Sequence, residues 1–277
     1  MATALPHEEN DTHRDGVREF PVLRVREAGR ERTTDQVIAE APVALVYNGV
    51  SFAVMMATPC DLGDFALGFA LAEGIIASPA EFELVDVLET ERGISLQALI
   101  PAERFEKLQD RRRNLSGRSG CGLCGIESLE EAVRPAPVVT HDPRLERTAI
   151  AAGMRALAQA QSLNAVTGGA HAAAFIAAGR PAIVREDVGR HNALDKLIGA
   201  LAKSPGAPAV ANGFLAITSR ASWEMVHKAA HAGIAVIAAI SAPTTLAIEA
   251  ADAAGITLIA FARDESMNVY THAARIT

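Results

Sequence analysis

Aromatic residues are scarce in this 277-residue chain: one Trp, two Tyr and nine Phe make up 4% of it. So few rings argue against a surface on which nucleic-acid bases stack. Positive charge is in deficit, 26 Lys+Arg against 33 Asp+Glu for a formal net charge of −7, which argues against tracking a phosphate backbone. No nucleic-acid partner is expected. The three cysteines, Cys60, Cys121 and Cys124, are too few for a disulfide framework. No long apolar run is free of polar residues. The most apolar region, Ala229–Ala262, carries His231, Pro243, Glu249 and Asp252, which would be costly in lipid, so it reads as strand, helix and strand of a covered core. Met1–Phe20 is studded with Glu, Asp and Arg and has no apolar segment of the kind a secretory signal needs. These features predict a cytoplasmic protein with no membrane partner.

What the chain does have is small aliphatic residues. Apolar residues reach 49% and mean hydropathy is +0.16, enough for a core of Ala, Val, Ile and Leu. Residues 1–19 read as a mobile tail. Val43–Asn48 and Ser51–Ala57 read as a hairpin about Asn48-Gly49-Val50. Thr58-Pro59-Cys60-Asp61 has the form of a helix start, with the Thr58 hydroxyl as cap and Cys60 a small buried residue in the first turn. A second hairpin surrounds Glu91-Arg92-Gly93, and Pro101–Arg113 reads as a surface helix. Asn114–Gly125, with four glycines, is predicted irregular and mobile, and Arg134–Pro143, with three prolines, is a candidate linker. Beyond it, strands alternate with helices from Leu145 to Phe261 and read as near-continuous apolar runs, as in a sheet covered on both faces. The expected architecture is α/β: a smaller β-containing part over residues 20–134, with the paired cysteines at 114–125, and an α/β part over 144–277.

Two groups of residues point to chemistry. In Ser119-Gly120-Cys121-Gly122-Leu123-Cys124-Gly125, glycines expose two thiols, and Arg118 with Arg111-Arg112-Arg113 makes the surroundings electropositive, which favours a thiolate. Such a pair can relay sulfur as a persulfide, cycle as a disulfide, or supply half of a zinc site whose nearest further ligands are Cys60 and His141. The second group recurs at the ends of predicted strands: Thr167-Gly168-Gly169-Ala170-His171, the run Glu186–Lys196, and Ser219-Arg220-Ala221-Ser222. Strand C-termini and following helix N-termini form the ligand crevice of an open α/β sheet. There Arg190, Lys196 and Arg220 are candidates to meet phosphate oxygens, and Asp187 to accept from the donor edge of a base.

The motifs SGCGLCG, TGGAHAAA, EDVGRHNALDKLIG, SRASWEMVHKA, SAPTTLAIEAA and FARDESMNVYTH resemble those of the FdhD family of formate dehydrogenase accessory sulfurtransferases, from about Val43 to Thr271. The resemblance implies a cytidine-deaminase-like C-terminal domain, a homodimer, and a sulfur carrier. Such a carrier takes sulfur from a cysteine desulfurase and passes it to the molybdenum cofactor, bis-molybdopterin guanine dinucleotide, before insertion into formate dehydrogenase. By position, Cys121 would hold the persulfide and Cys124 would assist. Phe261, Ala262, Arg263, Asp264, Glu265 and Ser266 would contact the cofactor, although a glycine and a basic residue are usual where Asp264 and Ser266 stand. Gly169, His171, Asp187, Arg190, His191, Ser219 and Arg220 would line its guanine-nucleotide pocket, with guanosine diphosphate (GDP) as a mimic. Deaminase chemistry is not implied: His171-Ala172-Ala173 lacks the glutamate of the H-x-E motif, and the paired cysteines come earlier in the chain. A zinc-binding or thiol-redox accessory protein without sulfur transfer is the alternative.

Overall fold

The computed structural model describes residues 16–116, 135–204 and 209–277. The chain opens with a two-stranded antiparallel arm, β1 (Val17–Arg26) and β2 (Gly29–Ile38). Strands β3 (Ala41–Tyr47), β4 (Val50–Ala57), β5 (Glu83–Thr90) and β6 (Gly93–Leu99) form a sheet in the order β4-β3-β6-β5. The β3–β4 turn falls at Asn48-Gly49, both at positive φ (48° and 80°), the geometry an Asn-Gly hairpin favours. Helices α1 (Leu62–Ala72) and α2 (Ala102–Ser116) cover one face of this sheet, burying Phe65, Phe69 and Leu108 against Val43, Leu45 and Leu96.

A second sheet holds β7 (His171–Ala177), β8 (Ile183–Asp187), β9 (Gly213–Ile217), β10 (Val236–Ala239), β11 (Thr257–Arg263) and β12 (Ser266–Val269) in the order β12-β11-β10-β9-β7-β8. β9, β10 and β11 are parallel, joined through α6 (Trp223–His231) and α7 (Thr245–Ala253), while β7 runs antiparallel to β8 and β9. Every residue of β9 and β10 is buried, as a sheet covered on both faces requires. The other helices of this half are α3 (Arg147–Ala160), the short α4 (Ser162–Thr167) and α5 (Arg190–Lys203).

Several expectations need correcting. Residues 17–19 belong to β1, which starts at Val17, rather than to a tail, and the rest of the expected tail, residues 1–15, lies outside the described residues. The arm escaped notice because polar and charged residues occupy both of its faces, leaving no apolar alternation to read. Helix α1 begins at Leu62 after Asp61 in the left-handed region (φ 52°), so Thr58 is no cap and Cys60 precedes the first turn. Asn114–Ser116 continue α2 rather than opening an irregular stretch. The proline-rich stretch before α3 is packed down: Val139 is buried in the large core and Arg275 grips Asp142 at 2.9 Å and the His141 carbonyl at 3.0 Å.

The two sheets are welded by α1 crossing α5. A Cβ on Gly68 would overlap the Asp195 carbonyl and one on Gly199 the Asp64 carbonyl, so the helices touch backbone to backbone. Polar contacts flank the crossing: Asp64 accepts from Arg185 at 2.6 Å and Lys203 at 2.8 Å. Forcing a methyl into a filled space costs about 1–3 kcal/mol. Gly199→Ala should therefore lower the thermal midpoint by several degrees, read by calorimetry, with the loss concentrated in the contact between the two halves.

Candidate functional site

The strand order gathers the predicted clusters along one edge of the large sheet. Asp187 ends β8 opposite His171 at the start of β7. The Ala172 amide donates to Thr218 Oγ1 at 2.9 Å, which seats Ser219 and Arg220 beside them after β9. Phe261, at φ 51° and exposed, donates its amide to the Ser241 carbonyl, just past β10. From β8 to β11 the edge spans four strand spacings, about 19 Å.

The residues along it do different things. Arg220 is exposed, whereas Ser219 is buried with its hydroxyl donating to the Arg220 carbonyl. Arg263 Nε donates to the Ile240 carbonyl at 3.0 Å, fastening β11 to the end of β10. Ala262 is buried in the core, Asp264 turns the β11–β12 hairpin at φ 53°, and Ser266 is exposed at the start of β12. Glu265 pairs with Arg147 at 2.8 Å and Arg155 at 3.0 Å, two residues of α3. Gly169 packs against β2, where a Cβ would come within 2.9 Å of Ile38. His171 has its pKa lowered, first by burial and then by the Arg190 charge. Arg190 Nε and His191 Nε2 are buried with no hydrogen-bond partner among the described residues.

Two expected ligand contacts are spent inside the protein. Asp187 and Lys196 are both fully buried and pair at 2.7 Å. The remaining capacity of Asp187 is taken by the amides of Thr58 (3.0 Å) and Gly189 (2.8 Å) and by Asn192 Nδ2 (3.0 Å). Lys196 also donates to the Thr58 carbonyl at 3.0 Å. Neither residue can reach a phosphate or a base. Glu186, next in line, holds the first turn of α4 through the Leu163 and Asn164 amides, both at 2.9 Å.

Sequence reasoning missed a cavity of about 190 Å³ where the two halves meet. Met55 of β4, Phe69 of α1 and Glu73, which caps α1, form one side; His191 and Asp195 of α5 and Trp223, Glu224, His227 and Lys228 of α6 form the other. At its base the buried Lys228 ammonium donates to Asp195 at 2.8 Å and Glu73 at 2.9 Å and lies 5.2 Å from the centre of the Phe69 ring. Burial raises the Asp195 pKa to about 6, with Lys228 opposing the rise. The available signal was the spacing of four residues between polar or aromatic groups on each helix, 69 and 73, 191 and 195, 223 and 227.

Cys121 and Cys124 lie outside the described residues. Cys60 is half-buried with Sγ 3.6 Å from the Lys196 ammonium, and burial pushes its thiol pKa up against the pull of that charge.

Fold and site together define a two-core α/β protein with a polar crevice at the C-terminal strand edge and a cavity between its halves. The FdhD/NarQ family model matches residues 38–277, so the β1–β2 arm precedes the matched region except for Ile38. Sulfur carrier protein FdhD of Xanthomonas campestris pv. campestris (strain B100) is 54% identical over 256 residues, 92% of this chain and 90% of its own. That of Variovorax paradoxus (strain S110) is 49% identical over 258 residues, 93% and 92% of the two chains. A crystal structure from Desulfotalea psychrophila, assigned to a formate dehydrogenase accessory protein, superposes with a TM-score of 0.69 at 26% identity, covering 94% of this chain and 99% of its own. The chain belongs to the FdhD/NarQ family.

The half-buried His191 imidazole beside the cavity makes stability depend on pH. Burial, and next the Arg190 charge, depress the His191 pKa from 6.5 to about 4. The folded state therefore favours the neutral ring; this contribution is complete above pH 6.5 and is lost as pH falls toward 4. Melting temperatures measured between pH 7 and pH 4 should fall less steeply for His191→Gln than for the unmodified protein.

Proposed function

We propose that this chain is a cytoplasmic sulfurtransferase that carries sulfane sulfur on Cys121 from a cysteine desulfurase to the molybdenum cofactor used by formate dehydrogenase. The observation that carries this reading is the 54% identity to a protein named as a sulfur carrier, along nine-tenths of both chains. The glycine-flanked pair Cys121 and Cys124 supplies the nucleophiles. In loading, the Cys121 thiolate attacks the outer sulfur of a persulfide on the desulfurase. The donor S–S bond breaks, the donor cysteine leaves as a thiolate, and Cys121 becomes the persulfide. In delivery, the Cys124 thiolate attacks Cys121 Sγ and the outer sulfur leaves as hydrosulfide. The sulfur gains the two electrons lost by the two thiols, which join as a disulfide, and a thiol reductant restores them.

The bis-molybdopterin guanine dinucleotide is the cargo, and the strand-end edge is where we place its nucleotide portions. Arg220 stands exposed there and Arg190 has a buried Nε in want of an acceptor, so both suit phosphate oxygens. The antiparallel β7 beside a parallel β9–β10–β11 run supports a cytidine-deaminase-like description of this half. A homodimer is the assembly the family resemblance implies.

Intact-mass analysis after incubation with a cysteine desulfurase and cysteine should find one added sulfur on the wild type and none on Cys121→Ala. The variant should also fail to activate formate dehydrogenase; normal activation by Cys121→Ala would end the sulfur-carrier reading. GDP, titrated as a mimic of half the cofactor, should bind more weakly to Arg190→Ala and Arg220→Ala, by roughly 1.5–3 kcal/mol each if the lost bonds are charge-assisted. Unchanged calorimetric affinity in both would move the nucleotide away from this edge.

A further inference from the structure

Two surfaces of this chain are apolar, carry charge of a single sign and stand uncovered. The first is on the arm. Among the described residues β1 and β2 pair only with each other, and the arm joins the rest of the chain at its base, where Gly16 lies against Thr58 and Leu163 and Ile38 against Gly169. A two-stranded ribbon standing alone is marginal in water. The register sorts its side chains into two faces. On one, Arg24 lies opposite Glu31 and pairs with Asp35 at 3.6 Å, so charge is balanced within the arm. On the other, Leu23 lies opposite Arg32 and Val25 opposite Arg30, and no acidic residue shares this face between Pro21 and Thr34. Leu23 and Val25 are both more than half exposed, and Arg30 and Arg32 make no ion pair within 4.0 Å among the described residues.

The second surface is the side of the four-stranded sheet that α1 and α2 leave open. Val43, Leu45 and Leu96 point to the helices, so their neighbours along each strand point away. The pairing places Val54 and Met56 of β4, Leu88 of β5 and Leu99 of β6 on the open side, each 45–60% exposed. Glu83 lies opposite Leu99 and Asp86 opposite Gln97 on that same side, and β5 contains no basic residue. Neither acid makes an ion pair within 4.0 Å among the described residues. Exposed apolar groups gathered in this way mark a surface that another protein covers.

We propose that the arm of one copy of this chain lies across the open sheet face of a second copy. Leu23 and Val25 cover the apolar centre of the sheet, and Arg30 and Arg32 meet Glu83 and Asp86. Both sides of the contact, apolar with basic and apolar with acidic, are present in the one sequence, which identifies the occupant as another copy. The exchange is reciprocal, so two arms and two sheets close a two-fold dimer and leave no unmatched patch to propagate. Strands of 10 residues reach about 33 Å, enough to cross a four-stranded sheet about 14 Å wide. The inference rests on the homodimer proposed above and names the surfaces that form it.

Sedimentation velocity of the full chain tests this with charge reversals at exposed positions. Arg30→Glu with Arg32→Glu sets carboxylates on the arm against Glu83 and Asp86 of the other copy. Glu83→Arg with Asp86→Arg sets arginines on the sheet against Arg30 and Arg32. Each double variant should dissociate at least about tenfold more readily than the wild type, since like charges then face each other across the contact. Circular dichroism should show both variants folded. Mixed in equal amounts, they should recover the wild-type dimer, because in the mixed pair every arm meets a sheet of opposite charge. A monomeric wild type overturns the homodimer and the arm contact together. A dimer that persists in both variants keeps the homodimer and overturns the arm contact. Loss of the dimer in one variant alone, or a mixture that stays monomeric, also overturns the pairing of these two faces.

Discussion

A lysine with no exposed surface, Lys196, holds the two halves of the molecule in one arrangement. Its ammonium sits on α5, its counter-ion Asp187 closes β8, and the group they share is the backbone of Thr58, whose carbonyl meets the lysine and whose amide meets the aspartate. Each bond to Thr58 crosses from one sheet system to the other. Taking two charges out of water costs several kcal/mol per ion, recovered only when every lone pair and proton is engaged. Here they are: Gly189 and Asn192 complete Asp187, and Asn192 also reaches the Met56 carbonyl at 2.8 Å. Removing either charge would leave the other stranded, a loss on the order of 3–5 kcal/mol. The run EDVGRHNALDK is therefore first a device for joining two cores; its Arg190 and His191 are half-buried, with Arg190 Nε and His191 Nε2 unpartnered among the described residues.

That division explains what could and could not be read from the chain. The β3–β4 hairpin was legible because Asn48-Gly49 is a local signal, and the strand-helix alternation was legible because the strands are apolar throughout. The recurrence of His171, Asp187, Ser219 and Phe261 at strand ends was legible, but the strand order that brings them to one edge, with β7 between β8 and β9, is set by long-range pairing. The burial of Asp187 was not legible. Its partner Thr58 lies 129 residues away, and nothing local separates a carboxylate that binds a ligand from one that binds a backbone amide. The cavity was hidden for the same reason, being assembled from β4, α1, α5 and α6. The arm β1–β2 failed differently: its charges face solvent on both sides, so the period that marks a half-buried strand is absent.

Edge and cavity are not independent. α5 starts at Arg190 on the edge and carries His191 and Asp195 along the cavity wall, and α6 follows Arg220 and presents Trp223, Glu224 and Lys228. One pair of helix starts thus serves both places.

The Gly68–Gly199 crossing sets a limit on how such a protein diversifies. Where side chains separate two helices, exchanging one residue for a larger or smaller one slides the helices and resizes whatever lies between them. With backbone against backbone there is no spacer to exchange. The gap between α1 and α5 is inherited from the main chain, and with it the width of the cavity they flank. Divergence among descendants of this sequence is therefore channelled into the wall residues themselves, so that the chemistry of the cavity can drift while the frame around it stays constant.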